Sequence, residues 1–190
     1  GVHLHFHPDL PMSAMQAGAD MAATSMHKLG GSLTQSSILN VREGRVNPRR
    51  VQAIISMLTT TSTSYILLAS LDTARRYLAT KGKALLEETL ALANYARQSI
   101  NQIPGLLCVG REMLTSEAAY DLDETKLIIH LKNLGITGYD AEKWLRKKWN
   151  IEVELSDLYN ILCLITPGDS LQTIQTLVNA LKDLSDHFFI

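Results

Sequence analysis

The sequence predicts an α/β chain, with short strands and helices alternating on a parallel or mixed sheet, followed by a smaller α+β module. Three observations carry this expectation. Short apolar runs precede a helix with its own start signal at Asn47-Pro48. A helical stretch from Tyr65 to about Gln102 exceeds an average helix several-fold, as helices that bridge two domains do. After Pro104-Gly105 the chain turns to shorter strand-like and helical runs.

In order, Val2–His7 alternates apolar residues with histidine and ends at Pro8, which fits a short strand. The run "GADMAATSMHK" is small and apolar, as in a strand buried on both faces. "SSILNV", Ser36–Val41, is a second β-like run. The helix from Pro48 to about Leu58 places Val51, Ile54, Ile55 and Leu58 on one face. Six hydroxyl residues, Thr59–Ser64, then precede the long helix, with a break expected near Lys81-Gly82. Beyond Pro104 the runs are strand "LLCVG", a polar loop, strand "KLIIHL", helix "DAEKWLRKKW", strand "VELSDLYNILCLI" and a closing helix from Ser170 to about His187. The expected division is 1–100 and 101–190, the second part within the usual lower range of domain size.

Composition narrows the function classes. Net charge is -1 over 190 residues, which argues against nucleic acid or an acidic membrane surface as a bulk partner. Arg42, Arg45, Arg49 and Arg50, and likewise Arg146, Lys147 and Lys148, read as solvated helix faces. Cys108 and Cys163 lie far apart inside apolar runs and read as buried thiols in a reducing, cytoplasmic setting. No apolar run reaches the roughly 20 residues of a membrane span, and no signal-peptide pattern opens the chain. The chain begins at Gly1 directly in an apolar/histidine alternation and is expected to be a segment of something longer.

The stretch that carries chemistry is Ser25-Met26-His27-Lys28, followed by Gly30 and Gly31. One reading is a strand end with a polar, solvated loop. The other is a phosphate-holding turn with a nucleophilic amine. Strand C-terminal ends in α/β folds open onto ligand crevices, and a partly desolvated lysine forms a Schiff base with a carbonyl. Ser25 and His27 are close enough in sequence to hydrogen-bond a phosphate on the same ligand, the combination that holds pyridoxal phosphate. His3, His5 and His7 would share one strand face, but positions two apart on a strand are ~7 Å apart and spread their rings, so no metal site is expected. Asp20 is expected to order a turn through local backbone bonds. Asp123, Glu152, Glu154 and Asp157 read either as solvated carboxylates or as readers of a distal basic group on a substrate.

The segment "GADMAATSMHKLGGSLTQSSILNV" resembles the pyridoxal-phosphate segment of the ornithine/lysine/arginine decarboxylase family. "HLHFHPDLP", "TTTSTSYILLASLDTARRYL", "LGITGYDAEKWLRKKWNIEVELSDLYN" and "LITPGDS" match in the same order, so the resemblance covers nearly the whole chain. It implies the second half of a PLP-dependent transferase-like large domain with a mixed or parallel sheet, then a small α+β domain. It implies that Lys28 is the Schiff-base lysine, forming the internal aldimine with pyridoxal 5'-phosphate, and that Ser25 and His27 are phosphate-loop residues. Thr61 matches the residue that reaches the cofactor phosphate from a neighbouring subunit, so a homodimer or higher oligomer with shared sites is implied. The hydroxyl run also reads as an N-cap for the long helix. The family usually has proline where this chain has Thr63. The implied activity is decarboxylation of a basic amino acid, arginine preferred over lysine or ornithine, as in polyamine biosynthesis. The family's aspartate for the pyridinium nitrogen, its ring-stacking histidine and part of its phosphate cup lie upstream of the matched residues. Little or no turnover is therefore expected from these 190 residues alone. An aminotransferase of the same fold and a non-catalytic segment that only pairs with a partner are the alternatives.

Overall fold

The structure is a computed structural model and describes residue 3 and residues 6–189. Its contacts divide the chain into two compact units, Gly1–Ala84 and Leu85–Ile190.

In the first unit, β1 (Met21–Ser25) and β2 (Ser37–Val41) form an antiparallel pair, with Met21 opposite Val41 and Ser25 opposite Ser37. The sheet pairs of both units are antiparallel, in place of the expected parallel or mixed sheet. The cause is connectivity: no helix intervenes between β1 and β2, and a parallel neighbour needs a crossover of a dozen or more residues. Nor is β1 buried on both faces. It alternates exposed and half-buried positions, because its alanines and its threonine fit either environment. Of the Val2–His7 strand, Val2, Leu4 and His5 lie outside the described residues, and no strand includes His3, Phe6 or His7.

Helix α1 (Pro48–Leu58) begins as expected, with the Asn47 side chain accepting from the N–H groups of Arg49 and Arg50 and proline at the first helical position. Asn47→Ala leaves those donors to water and should cost about 1 kcal/mol, read as a lowered urea midpoint. No residue of α1 is buried; its apolar face ends in Met57 and Leu58, 75% and 81% exposed.

Helix α2 (Tyr65–Ile100) runs 36 residues, about 54 Å, and contributes to both units. It continues through Gly82, where a break was expected. A Cβ there would lie 3.3 Å from Phe6 Cβ, so the missing side chain makes room for the phenyl group. Leu71, Ala74 and Leu78, on one helical face, pack with Met26, Leu29, Ile38 and Phe6 as the core of the first unit.

The second unit holds a four-stranded antiparallel sheet, ordered β3 (Leu107–Cys108), β4 (Lys126–His130), β6 (Asn160–Leu164), β5 (Leu155–Ser156). Leu127, Ile129, Ile161 and Cys163 alternate into the core. They pack with Ala93, Ala96 and Ile100 of α2, with Ala141 and Leu145 of α3 (Gly138–Trp149), and with Ile174, Leu177, Leu181 and Leu184 of α4 (Leu171–Phe188). The expected single strand over 153–165 is a hairpin instead. Asp157 accepts from the N–H groups of Tyr159 and Asn160, each at 2.8 Å, and turns the chain between β5 and β6. Buried Arg97 donates to the carbonyls of Val109, Glu124 and Lys126 at 2.9–3.3 Å, clipping the chain as it leaves β3 and enters β4.

Cys108 and Cys163 are free and buried in this core. Burial pushes their thiols up, to about 11 and about 12. The unfolded thiols ionise near 9, where the folded ones keep their protons. Their contribution to stability is therefore complete below about pH 9 and is lost as pH rises towards 11–12. The loss reaches up to about 1.4 kcal/mol per pH unit for each thiol. Urea unfolding at about pH 8 and about pH 10 measures it; an undiminished alkaline loss in Cys163→Val would assign the effect to other groups.

Candidate active site

Ser25 closes β1 and Lys28 sits in the next turn, so the strand delivers the amine at its C-terminal end. The turn is short because glycine permits it. A Cβ on Gly30 would lie 2.6 Å from the Met26 carbonyl oxygen, and Gly31 takes a left-handed φ of +80°. Met26, 2% exposed, roots the turn in the core, while Ser25, His27 and Lys28 are all exposed. The Lys28 ammonium has no hydrogen-bond or ion-pair partner among the described residues. This free, solvent-facing amine differs from the partly desolvated one expected.

Residues 32–36 and helix α2 hold the turn in place. The carbonyl of Ser36 accepts from the N–H groups of Met26 and His27, at 3.1 and 3.2 Å, and lies 2.8 Å from Nδ1 of His27. The Ser36 hydroxyl donates to the Leu33 carbonyl at 2.6 Å and lies 2.5 Å from the Ser32 hydroxyl. Leu33 N–H in turn donates to Ser70 Oγ of α2 at 2.7 Å. Lys28 therefore has a fixed backbone and a free tip. Sequence reading missed Ser36 and Ser70. The "LTQSS" run signals a polar loop, but no residue type marks a main-chain carbonyl that gathers three donors.

A cleft of about 430 Å³ lies beside this loop, lined by Ser36 and Ser37, by Thr60, Ser62 and Thr63, and by leucines of the first turns of α2. Thr61 is exposed on the same hydroxyl segment but is not among the lining residues. Ser64 caps α2, accepting from Leu67 N–H at 3.5 Å, so the segment does serve as an N-cap. The structure thus brings Ser25, His27 and Lys28 together at one strand end and keeps Thr61 on a separate loop.

Other candidates resolve differently. Asp20 binds Arg45 through both carboxylate oxygens, at 2.6 and 3.3 Å, and is not confined to local backbone bonds. His5 lies outside the described residues, and His7 Nδ1 accepts from Asp9 N–H at 3.2 Å. Arg146 clasps Glu152 and holds its carboxyl below the usual range. Hydrogen bonds from Asn160 and the Tyr159 N–H do the same for Asp157. Asp123 accepts from Thr125 and pairs with Lys126. Of the four carboxylates, Glu154 alone is exposed and uncommitted.

The donor set at the turn fits pyridoxal phosphate: an unpaired amine for its aldehyde, and a hydroxyl and an imidazole for its phosphate, on a backbone whose glycines leave the turn uncrowded.

Comparison with known proteins gives the family. The sequence profile described as Orn/Lys/Arg decarboxylase, major domain, matches residues 1–173. The arginine decarboxylase of Bacillus subtilis (strain 168) is 68% identical over 185 residues, 97% of this chain and 38% of that protein. That of Bacillus anthracis is 68% identical over 188 residues, 99% of this chain and 38% of that protein. The chain thus spans about 38% of the length of these relatives. Lysine decarboxylase A from Pseudomonas aeruginosa superimposes with a TM-score of 0.80 over 97% of this chain and 31% of its own; at 21% identity this likeness speaks for the fold. On the profile match and the extent of identity, the chain belongs to the Orn/Lys/Arg decarboxylase family.

Proposed function

We propose that the chain carries the lysine-bearing segment of a pyridoxal-phosphate-dependent decarboxylase acting on a basic amino acid, arginine in preference to lysine or ornithine. One observation carries the reading: an unpaired lysine amine in the turn after β1, flanked by Ser25 and His27, in a chain of this family. The cofactor, when bound, supplies an electron sink for the pair left behind as the α-carboxylate departs as carbon dioxide.

The chain's own residues do the rest. Lys28 offers the amine that anchors the aldehyde, and once released by the substrate's amine it can hold and return a proton at Nζ. Ser25 and His27 hold the phosphate. The Ser36–Ser32–Leu33–Ser70 bonding fixes the lysine's root, so that only its side chain moves. Thr61 would act from a second copy. Exposed Met57, Leu58, Tyr65 and Ile66 lie on either side of the hydroxyl segment and support self-association there. An aminotransferase of this fold would call for an arginine free to grip the α-carboxylate. Arg111 is paired with Asp121 and Glu124, and Arg146 with Glu142 and Glu152, which supports the decarboxylase reading.

The test is the visible absorbance of the protein with pyridoxal phosphate, beside Lys28→Ala. A band that vanishes in the variant supports the reading; a band in both, or in neither, counts against it. Carbon dioxide release from arginine, lysine and ornithine by the full-length protein ranks the substrates.

A further inference from the structure

The backbone chooses between the two neutral tautomers of His27. Its Nδ1 lies 2.8 Å from the Ser36 carbonyl oxygen, and a carbonyl can only accept, so Nδ1 carries hydrogen. That carbonyl also holds the N–H groups of Met26 and His27, so ring and backbone are fixed together. His27 is exposed, and in its neutral ring Nε2 therefore bears a lone pair, which an oxyanion repels. Only the protonated ring presents an N–H there, and that N–H is charge-assisted.

We infer that His27 receives a phosphate ester only as the imidazolium, so that filling the Lys28 turn with a phosphate group takes up one proton at His27 Nε2. The inference rests on the cofactor reading above and adds to it the protonation state of the receiving group. Lys28 is the adjoining titratable group, in the same turn. Ser25 on β1 and Ser36 before β2 bring no charge, Asp20, at the other end of β1, is paired with Arg45, and on α2, which packs against the turn, Asp72 is paired with Arg75.

Inorganic sulfate is the probe, because its charge is constant from about pH 5 to 9 whereas that of a phosphate monoester changes near 6. Sulfate titrations of the full chain, read on the ¹⁵N signals of the His27 ring, should move Nε2 at low pH. The neutral ring should be protonated at Nδ1. Where the unliganded ring is neutral, affinity should fall about tenfold per pH unit, as one linked proton requires. His27→Gln, whose amide donates at every pH, should bind sulfate with a flat profile, and Lys28→Met should keep the slope. A neutral ring protonated at Nε2 overturns the inference. So does a flat profile in the unmutated protein, failure to bind sulfate at low pH, or a slope abolished by Lys28→Met instead of His27→Gln. The visible band scores the cofactor reading separately: a band lost in Lys28→Ala beside a flat sulfate profile keeps that reading and discards this one.

Discussion

Lys28→Ala should, on the function proposed above, leave a folded protein that has lost its visible band with pyridoxal phosphate and its release of carbon dioxide from a basic amino acid. Loss of the proton-transferring group alone is worth about 10²–10⁴-fold in rate, and loss of the covalent anchor adds to it. Stability should stay within about 0.5 kcal/mol, because the side chain is exposed and unpaired. That separation of fold from chemistry is what identifies the residue's role. Lys28→Arg sharpens the test, since it keeps the positive charge but offers no amine able to condense with an aldehyde. Equal activity in Lys28→Arg and the unmutated protein would show that charge, not nucleophilicity, is what the position supplies.

The second large effect is structural. Gly138 opens α3 behind the Thr137 cap, and a Cβ there would lie 2.2 Å from the Asn160 carbonyl oxygen and 2.4 Å from that of Asp157. Both obstacles are backbone, and both belong to the turn that Asp157 ties between β5 and β6. Gly138→Ala must therefore push α3 outward or open the turn. Either shift disturbs Ala141 and Leu145, which α3 buries completely. The expected cost is about 2–4 kcal/mol, a large share of the roughly 5–15 kcal/mol that holds a domain. Gly168→Ala is the control: its Cβ would meet only Thr166 Oγ1 at 3.5 Å, an ordinary contact. Denaturant midpoints that fall together in the two variants would refute the steric account.

The helices were legible because their signals are local. Asn47-Pro48 and Ser170 announce caps within a few residues, and α1 and α4 start where those residues stand. The Lys28 motif could be singled out because the chemistry proposed for it resides in side-chain types at short spacing. Strand partners were not, since pairing joins residues far apart and "MAATS" carries too little contrast to fix which face is buried. The break at Asp157 was hidden in a strand-like run that looks continuous until the carboxylate's acceptor role is counted. Least legible was Ser36, whose part at the site is played by a carbonyl that every residue possesses.

The Arg97 clip has a consequence for how this family member can vary. One guanidinium grips the chain at Val109, where it departs the sheet, and at Glu124 and Lys126, where it returns. The intervening stretch is thus a replaceable part mounted between two fixed brackets. Length changes and grafts between about residues 114 and 120 should leave the sheet standing, while a single change at Arg97 should unseat both brackets at once.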